Sequence, residues 1–310
     1  MPDQPLITFG IPAYNRPQLL AETLASLAAQ QGPADFEVVV CDDGGLPETA
    51  AAVAKYPADR FRYFHNQPRL GPVPNWNECI RQARGRWVMV LHEDDALYPW
   101  YLASVRPRLR DGLAAVCTRV VQGTSQPALP PPAEISFRPY LPLYFLKSSF
   151  TPFPGVLFPR ELGLRLGGFD VRHGPLADYE FWYRLNCSGP VEVVRQVGAF
   201  YRTGSDQWTA RTWPNMLRQV HLLRRKVAVE QLGRRPLAFW LARFYTGRDA
   251  RAYARRFPER PATLARAEKF RRIPGGWLPS GWVWRFLQLD RKSTRLNSSH
   301  SQQSRMPSSA

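Results

Sequence analysis

The sequence predicts an α/β protein built on a mixed, mainly parallel β-sheet flanked by helices, with a basic helical extension at the C-terminus. Two observations carry this prediction. Short apolar runs alternate with helical patterns over the first two hundred residues, which is the rhythm of parallel strands joined by crossover helices. Acidic residues follow several of these runs, at the strand ends where open α/β sheets bind ligands.

Four apolar runs predict the first strands, at residues 6–11, 36–41, 61–65 and 87–91. We expect Pro12 to break the first of these strands, because its nitrogen cannot donate a hydrogen bond. Helices are predicted between the strands. The first carries Leu20, Leu24 and Leu27 at helical spacing, and the second covers residues 75–84.

Between residues 122 and 155 the regular pattern gives way to a stretch rich in proline and aromatic residues. A long loop of this kind in a compact domain is usually functional or partly disordered. We expect its aromatic side chains to pack or to bind a ligand. They are Phe137, Tyr140, Tyr144, Phe145, Phe150 and Phe153.

The composition divides the chain into three parts. Residues 1–210 form the predicted α/β domain and hold 20 basic against 20 acidic residues. Residues 211–289 form the basic helical extension, with 18 basic against 4 acidic residues, so the net charge of +17 belongs to the C-terminal part. Residues 290–300 match one reading frame of a sequencing-library adapter, and we expect residues 290–310 to be extraneous and disordered, with an ordinary polar tail as the alternative.

Apolar spacing predicts two helices in the extension. The first is marked by Met216, Val220, Leu223 and Val227, and the second covers residues 236–253. A tryptophan-rich segment follows, with Trp277, Trp282 and Trp284. Arginine-rich helices with apolar residues opposite fit an anionic membrane surface, and a solvated charged face is the alternative.

The four cysteines lack the spacing of a metal site and are expected to be free thiols in a reducing compartment. The N-terminus lacks the basic start and apolar stretch of a signal peptide. No apolar run reaches the about 18 residues of a membrane-spanning helix. These features predict a cytoplasmic protein, either soluble or peripheral at the inner face of the plasma membrane.

Carboxylates recur at three points of the predicted sheet edge: Asp42 with Asp43, Asp94 with Asp95, and Asp178. Adjacent carboxylates repel one another and resist burial, so a positive partner is expected beside Asp94 and Asp95. A divalent cation carrying a phosphorylated ligand would satisfy them. The alternatives are an Asp-rich turn for each pair and a helix N-cap for Asp178.

Several motifs, in this order, resemble those of the family-2 inverting glycosyltransferases. They occupy residues 12–16, 41–45, 91–95, 155–158, 167–170 and 177–182, with Tyr201 and Arg202 closing the series. The resemblance covers residues 5–205 and implies a GT-A fold, in which a nucleotide-binding sheet joins an acceptor-binding half. It also implies metal-dependent transfer of a sugar from a nucleotide-diphospho-sugar, UDP- or dTDP-linked, to a glycan or lipid-linked acceptor in bacterial surface-polysaccharide assembly.

The resemblance assigns roles to individual residues. Residues matching the loop after the first strand border the nucleotide: Pro12, Tyr14 and Arg16. Asp42 and Asp43 match the acidic pair that holds uracil or ribose. Asp94 and Asp95 match the motif that binds Mg²⁺ or Mn²⁺ together with the diphosphate. Asp178 matches the catalytic base, which takes the proton of the acceptor hydroxyl.

The stretch before the fourth strand adds further candidates. We expect Asn77 or Arg69 to contact the diphosphate or sugar, whereas Trp76 is expected to pack in the core. The chain departs from the family pattern at three places. His92 stands where an Asp is common, Ala177 where Glu usually precedes the base, and residues 203–205 lack a histidine able to reach the metal.

Three other functions compete with this interpretation. A nucleic-acid binder is suggested by the pI of about 10.3, but the excess charge lies in the C-terminal part and no known module is present there, so no nucleic-acid partner is expected. A nucleotidyltransferase normally uses a glycine-rich loop and a lysine, which the first strand lacks. A non-catalytic sugar-nucleotide-binding relative is disfavoured by the presence of Asp94, Asp95 and Asp178.

Overall fold

The computed structural model describes residues 4–132, 134–148, 152–204 and 208–256, with side chains except at 208–215 and 253–256. The strands in these residues are β1 (Ile7–Ala13), β2 (Phe36–Asp42), β3 (Phe61–His65), β4 (Trp87–Val90), β5 (Ala96–Leu97), β6 (Ala115–Gly123), β7 (Phe137–Tyr140), β8 (Val156–Pro159) and β9 (Val191–Arg202). They form one mixed sheet in the order β3-β2-β1-β4-β8-β6-β9-β5, with β7 also paired to β9.

The first four strands form the parallel half of the sheet. β1 pairs in parallel with β2 and with β4, and β2 pairs in parallel with β3. The chain therefore reverses its direction of travel through the sheet at β1, and ligands of open α/β sheets bind at such a switch point. All seven residues of β2 are buried, as expected for a strand covered on both faces.

The first strand runs through Pro12 instead of stopping before it. Pro12 pairs with Cys41 of β2, and Ala13 pairs with Asp42. On the other side of β1, the pairing with β4 ends at Gly10 and Val90. Because alternate residues of a strand bond to opposite neighbours, the missing N–H of Pro12 faces the side where β4 has already ended. The predicted break at Pro12 is therefore wrong.

The second half of the sheet contains the antiparallel pairs. β8 joins the halves, because it runs antiparallel to both β4 and β6. β9 is parallel to β6 and antiparallel to β5 and β7. The strand β5 directly follows the acidic residues 93–95, so its pairing with β9 brings the end of β9 next to them. The mixed sheet confirms the predicted fold class.

The helices are α1 (Pro17–Ala28), α2 (Pro47–Val53), α3 (Pro72–Gln82), α4 (Tyr101–Val105), α5 (Arg160–Arg165), α6 (Ala177–Ser188), α7 (Trp208–Leu232) and α8 (Pro236–Arg256). The predicted leucine stripe of α1 is fully buried in the core under the sheet. α3 begins three residues before the predicted Asn75, because Pro72 occupies its first turn, where a missing N–H costs nothing.

Within the proline-rich stretch the structure contains β7 and a 3₁₀ segment at Pro142–Leu146. The aromatic side chains of Tyr140, Phe145 and Phe153 are buried, as the sequence predicts. Phe150 lies outside the described residues, as do the tryptophan-rich segment and residues 290–310.

The first compact unit extends from Met1 to Tyr245, and the second comprises residues 246–310. The predicted boundary at residue 210 falls inside α7 and stays a prediction. Met216, Val220 and Leu223 of α7 cluster with Leu176, so this helix is part of the first unit. No helix of the described part of the chain combines the length and apolar character that crossing a bilayer requires.

Candidate active site

A cavity of about 780 Å³ opens at the carboxyl ends of β1, β2 and β4. Residues from both halves of the sheet line it. From the first half they are Pro12, Ala13, Tyr14, Asn15, Arg16, Asp43, Arg69, Pro72, Asn75, Trp76, His92, Glu93 and Asp94. From the second half and α7 they are Pro152, Phe153, Pro175, Leu176, Asp178, Tyr179, Tyr201 and Met216. Most of the predicted site residues therefore share one cavity.

An ion-pair bridge connects the loop after β1 with the acidic loop after β4. The Arg16 guanidinium donates from Nε to Glu93 Oε1 at 2.8 Å and from Nη1 to Asp94 Oδ2 at 2.7 Å. Glu93 also accepts the backbone N–H of Tyr14 at 2.8 Å. Burial raises the pKa of Glu93 to about 7, against the opposing charge of Arg16. Glu93 thus fixes the predicted nucleotide loop.

Two further residues anchor the backbone of the acidic loop. The Thr23 hydroxyl of α1 lies 2.8 Å from the carbonyl oxygen of Glu93 and 2.7 Å from that of Asp95. From the end of β9, Arg202 donates its Nε to the Asp94 carbonyl at 2.9 Å and its backbone N–H to Asp95 Oδ1 at 3.0 Å. The loop is therefore held from the first strand, the first helix and the last strand.

His92, Asp94 and Asp95 form a group that can hold a metal ion. One ligand atom from each lies within 4.8 Å of the others. His92 Nε2 and Asp95 Oδ2 are buried and have no hydrogen-bond partner in the described part of the chain. Buried polar atoms without partners are uncommon, and a cation coordinated by oxygen and imidazole ligands would satisfy both. The residues present therefore fit a divalent metal.

The His92 ring lies among aromatic side chains. It stacks on Phe153 with ring centroids 4.0 Å apart and lies 5.4 Å from Trp76. Burial lowers the pKa of His92 to about 4, although the charge of Asp94 opposes the shift. A neutral imidazole is the form that binds metals. His92 thus stands where the family commonly has an Asp, and the structure places its ring beside both aspartates.

The two aspartates after β2 have different surroundings. Asp42 is fully buried and accepts the N–H groups of Gly44 and Gly45 and the Tyr63 hydroxyl. It therefore caps its own turn and does not line the cavity. Asp43 does line the cavity.

Asp43 also organises the loop before α3. Its carboxylate accepts the backbone N–H groups of Leu70 and Gly71 and the Asn66 side chain. Within this loop the Arg69 guanidinium lies 4.0 Å from the centre of the Tyr14 ring and 3.9 Å from Asp43. Arg69 thus brings a positive charge to the cavity.

The Asn77 side chain is engaged away from the cavity. Its amide nitrogen donates to the Phe169 carbonyl at 2.9 Å, and its oxygen accepts the Phe169 N–H at 2.8 Å. A Cβ built on Gly168 would lie 2.3 Å from the Asn77 amide oxygen, so the glycine permits this close approach. The structure therefore gives Asn77 a different place from the one the sequence predicted for it.

Asp178 lies in the first turn of α6. Its Oδ1 accepts the Tyr179 N–H at 2.6 Å. Burial raises the pKa of Asp178 to about 6, against the opposing effect of that hydrogen bond. Because Leu176 occupies the N-cap position, Asp178 is not the N-cap that the sequence left open. Its carboxyl group lines the cavity that Asp94 also lines.

Sequence reasoning missed several residues that shape this site. Glu93 lies within the motif at residues 91–95, but only Asp94 and Asp95 of that motif were given a predicted role. Thr23 and Arg202 act through backbone carbonyls, which no residue pattern reveals. Met216 was predicted only as part of a helix, and its apolar cluster with Leu176 and Tyr179 reaches the cavity wall.

Comparisons with known proteins bear on the family and the fold of this chain. The profile of the family "Glycosyl transferase family 2" matches residues 8–161. An uncharacterised protein of Mycobacterium tuberculosis is 32% identical over 210 residues, which are 62% of this chain and 66% of that protein. The GalNAc(5)-diNAcBac-PP-undecaprenol β-1,3-glucosyltransferase of Campylobacter jejuni is 32% identical over 115 residues, 36% of this chain and 37% of the enzyme. The chain therefore spans less than two thirds of these relatives.

Solved structures show the same fold. TarS 1-349 of S. aureus, in complex with UDP-GlcNAc, matches with a TM-score of 0.57 and 19% identity, over 81% of this chain and 72% of that one. The mannosyltransferase PcManGT of Pyrobaculum calidifontis, in complex with GDP-Man and Mn²⁺, matches with a TM-score of 0.54 and 20% identity, over 86% and 80%. The chain belongs to glycosyltransferase family 2 and has a GT-A fold.

Proposed function

We propose that this chain transfers a sugar from a nucleotide-diphospho-sugar to an acceptor hydroxyl, with inversion at the anomeric carbon and with Asp178 as the base. The observation that carries the proposal is the cavity that Asp178 lines together with His92 and Asp94, which form a possible metal-binding group with the buried Asp95. A base and a site for a diphosphate-binding cation in one cavity are what direct displacement requires.

The donor is proposed to enter beside the loop after β1. Arg16 and Arg69 bring positive charge to this side of the cavity, and Asp43 offers a carboxylate for a base or ribose. A UDP- or dTDP-linked sugar is proposed, and the UDP-GlcNAc complex of TarS supports a nucleotide-sugar donor. Asp42 is proposed to support this site indirectly, because its carboxylate holds the turn that follows Asp43.

Mn²⁺ or Mg²⁺ is proposed as the cofactor, held by Asp94 and Asp95 with His92 as a third ligand. A metal bound here would stabilise the charge that develops on the departing diphosphate. The imidazole favours Mn²⁺ over Mg²⁺, since Mg²⁺ prefers oxygen ligands alone. The Mn²⁺ complex of PcManGT supports a metal in a protein of this fold.

Asp178 is proposed to take the proton of the acceptor hydroxyl as that oxygen attacks the anomeric carbon. Tyr179 N–H holds one carboxylate oxygen at 2.6 Å, which leaves the other oxygen for the acceptor. A pKa of about 6 leaves Asp178 ionised at neutral pH while making it a stronger base than an ordinary aspartate. The backbone contacts of Thr23 and Arg202 keep the acidic loop in place during the reaction.

A glycan or lipid-linked acceptor is proposed, in the assembly of a bacterial surface polysaccharide. The C. jejuni relative, whose name describes a transferase acting on an undecaprenol-linked saccharide, supports this class. The apolar residues Phe153, Leu176 and Met216 on the second side of the cavity suit the ring faces of a sugar. A cytoplasmic location remains a prediction from the sequence.

The proposal is tested by binding and by transfer. The full chain is mixed with UDP, dTDP or GDP, each with and without Mn²⁺, and its thermal unfolding is measured. A nucleotide at about a hundred times its dissociation constant should stabilise the protein by about 2.7 kcal/mol. Asp94→Ala should lose the metal-dependent part of this stabilisation, whereas Asp59→Ala, at an exposed position, should retain it.

Asp178→Asn should retain nucleotide binding and lose donor hydrolysis and transfer. Turnover of a sugar donor by this variant at the normal rate would remove Asp178 from the role of base. Absence of stabilisation by every nucleotide, with or without metal, would contradict the proposed donor site itself.

A further inference from the structure

The outward surface of α7 and α8 combines exposed apolar side chains with arginines. Leu222 is 50% exposed and Phe239 is 37% exposed, which is high for residues of their size in a packed unit. On α7, Arg218 and Arg225 flank Leu222 at helical spacing, and on α8 Phe239 follows Arg235 by four residues. We call these five residues the Leu222–Phe239 face.

The two helices present these residues side by side. The Arg225 guanidinium lies 5.0 Å from the centre of the Phe239 ring, which joins the α7 stripe to the α8 stripe. His221, beside Leu222, has its pKa lowered by burial and by the nearby charges of Arg243 and Arg225. The face is therefore one continuous surface, with cationic groups around two apolar side chains.

The acidic residue of this region points elsewhere. Residues 211–245 hold eight basic residues and one acidic residue, Glu230. Glu230 accepts the Tyr183 hydroxyl of α6 at 2.6 Å, so its carboxylate is turned toward the α/β part. Among the described residues, Arg218, Arg225 and Arg235 have no carboxylate within ion-pair distance. Within the part of the chain that the structure describes, the face therefore carries uncompensated positive charge.

We propose that the Leu222–Phe239 face docks on an anionic membrane surface. Arginines would contact lipid phosphates, while Leu222 and Phe239 would enter the boundary between headgroups and acyl chains, as in helices that lie in the interface. A nucleic acid would satisfy the arginines but would leave Leu222 exposed to water. The apolar side chains therefore favour the bilayer over a polyanion without an apolar layer.

The same helix also reaches the cavity. Met216 lines the cavity and Leu222 lies on the outward face, six residues further along α7. At 1.5 Å per residue this is about 9 Å along the helix axis. Docking would thus hold the acceptor side of the cavity close to the headgroups, where a lipid-linked acceptor is found. This last step rests on the proposed function, whereas the docking itself does not.

The test is sedimentation of the full chain with vesicles, without donor or acceptor. Vesicles of phosphatidylcholine alone are compared with vesicles that also contain phosphatidylglycerol. The variant Arg218→Gln/Arg225→Gln/Arg235→Gln should bind the anionic vesicles about a hundredfold more weakly, at about 1 kcal/mol per arginine. The matched control neutralises three exposed arginines that also lack ion pairs in the described residues: Arg84, Arg119 and Arg195.

The apolar contribution has its own variant. Leu222→Ser/Phe239→Ser should lower anionic-vesicle binding at least tenfold, by the loss of about 1 kcal/mol or more per side chain. The control changes two other exposed apolar residues, Leu164→Ser/Val171→Ser, and should bind as the unmodified chain does. Thermal unfolding and nucleotide binding, measured on each variant, verify that it is folded.

Equal binding to both vesicle types, or equal losses in the face and control variants, would overturn the proposal. Binding to single- or double-stranded nucleic acid without vesicle binding would also overturn it and assign the charge to a nucleic-acid partner. Vesicle binding without nucleotide binding would support the docking surface and contradict the proposed function, so the two failures are distinguishable.

Discussion

Replacing Asp178, the proposed base, should make the protein more stable, and the size of this effect follows from the surroundings of its carboxyl group. Its pKa is raised from 3.8 to about 6 because burial disfavours the charged carboxylate. The folded protein therefore keeps this proton to a higher pH than the unfolded chain does. Stability contributed by the proton is present below pH 3.8 and is lost as the pH rises through about 6.

The size of the effect follows from linkage. A shift of about two pKa units corresponds to about 3 kcal/mol at pH 8, and to about half of that at pH 5. Asp178→Asn removes the charge but keeps an oxygen for the Tyr179 N–H. We therefore expect it to raise the free energy of unfolding by up to about 3 kcal/mol at pH 8, with a smaller gain at pH 5.

The assay is urea unfolding at both pH values, with Asp59→Asn as a control at an exposed carboxylate. Transfer by Asp178→Asn should fall by about 10²- to 10⁴-fold, the usual contribution of a general base. In the unmodified chain, kcat/KM should decline below about pH 6 as the base becomes protonated. A variant no more stable than the unmodified chain at pH 8 would refute the burial argument. A variant that is more stable but still transfers sugar at the normal rate would refute the proposed role of Asp178 as the base.

Three further predictions concern the architecture of the site. Arg16→Gln should tighten Mn²⁺ binding in the absence of nucleotide, measured by calorimetry, because the guanidinium no longer competes for the carboxylates; weaker binding would contradict this. Asn77→Ala should cost about 1–3 kcal/mol of unfolding free energy through lost contacts with Phe169 while leaving the UDP dissociation constant unchanged. A loss of UDP affinity without a loss of stability would instead support the sequence-based prediction that Asn77 contacts the nucleotide. Gly10→Ala should cost about 1–3 kcal/mol, because its Cβ would lie 2.6 Å from Cys79 Cβ, and Cys79→Gly should relieve much of this in the double variant.

The parallel half of the fold was predictable because its signals are local. The leucine stripe of α1 and the apolar runs of β2 and β3 appear in the structure with ends within a residue or two of those predicted. β5 and β8 are two and four residues long and are defined by their partners. Strands this short carry no periodic pattern, so β5 and β8 could not be read from the sequence.

The lining of the cavity was predictable where a motif contains the side chain that faces it. Asp94 and Asp178 line the cavity as the motif order implies. The contribution of Asn77 could not be predicted, because its partner is the backbone of Phe169, 92 residues further along the chain. Arg202 stood in a quoted motif, but its contact with the Asp94 carbonyl depends on the pairing of β9 with β5.

The attachment of the acidic loop has a consequence for chimeric enzymes. The family profile ends at residue 161, which invites grafting of residues 1–161 onto the acceptor half of another transferase. Such a graft would discard Arg202, which holds the loop from beyond that point. An exchange of acceptor specificity should therefore carry residues 201 and 202 with the donor half, and natural relatives should vary positions 23 and 202 in concert with the loop.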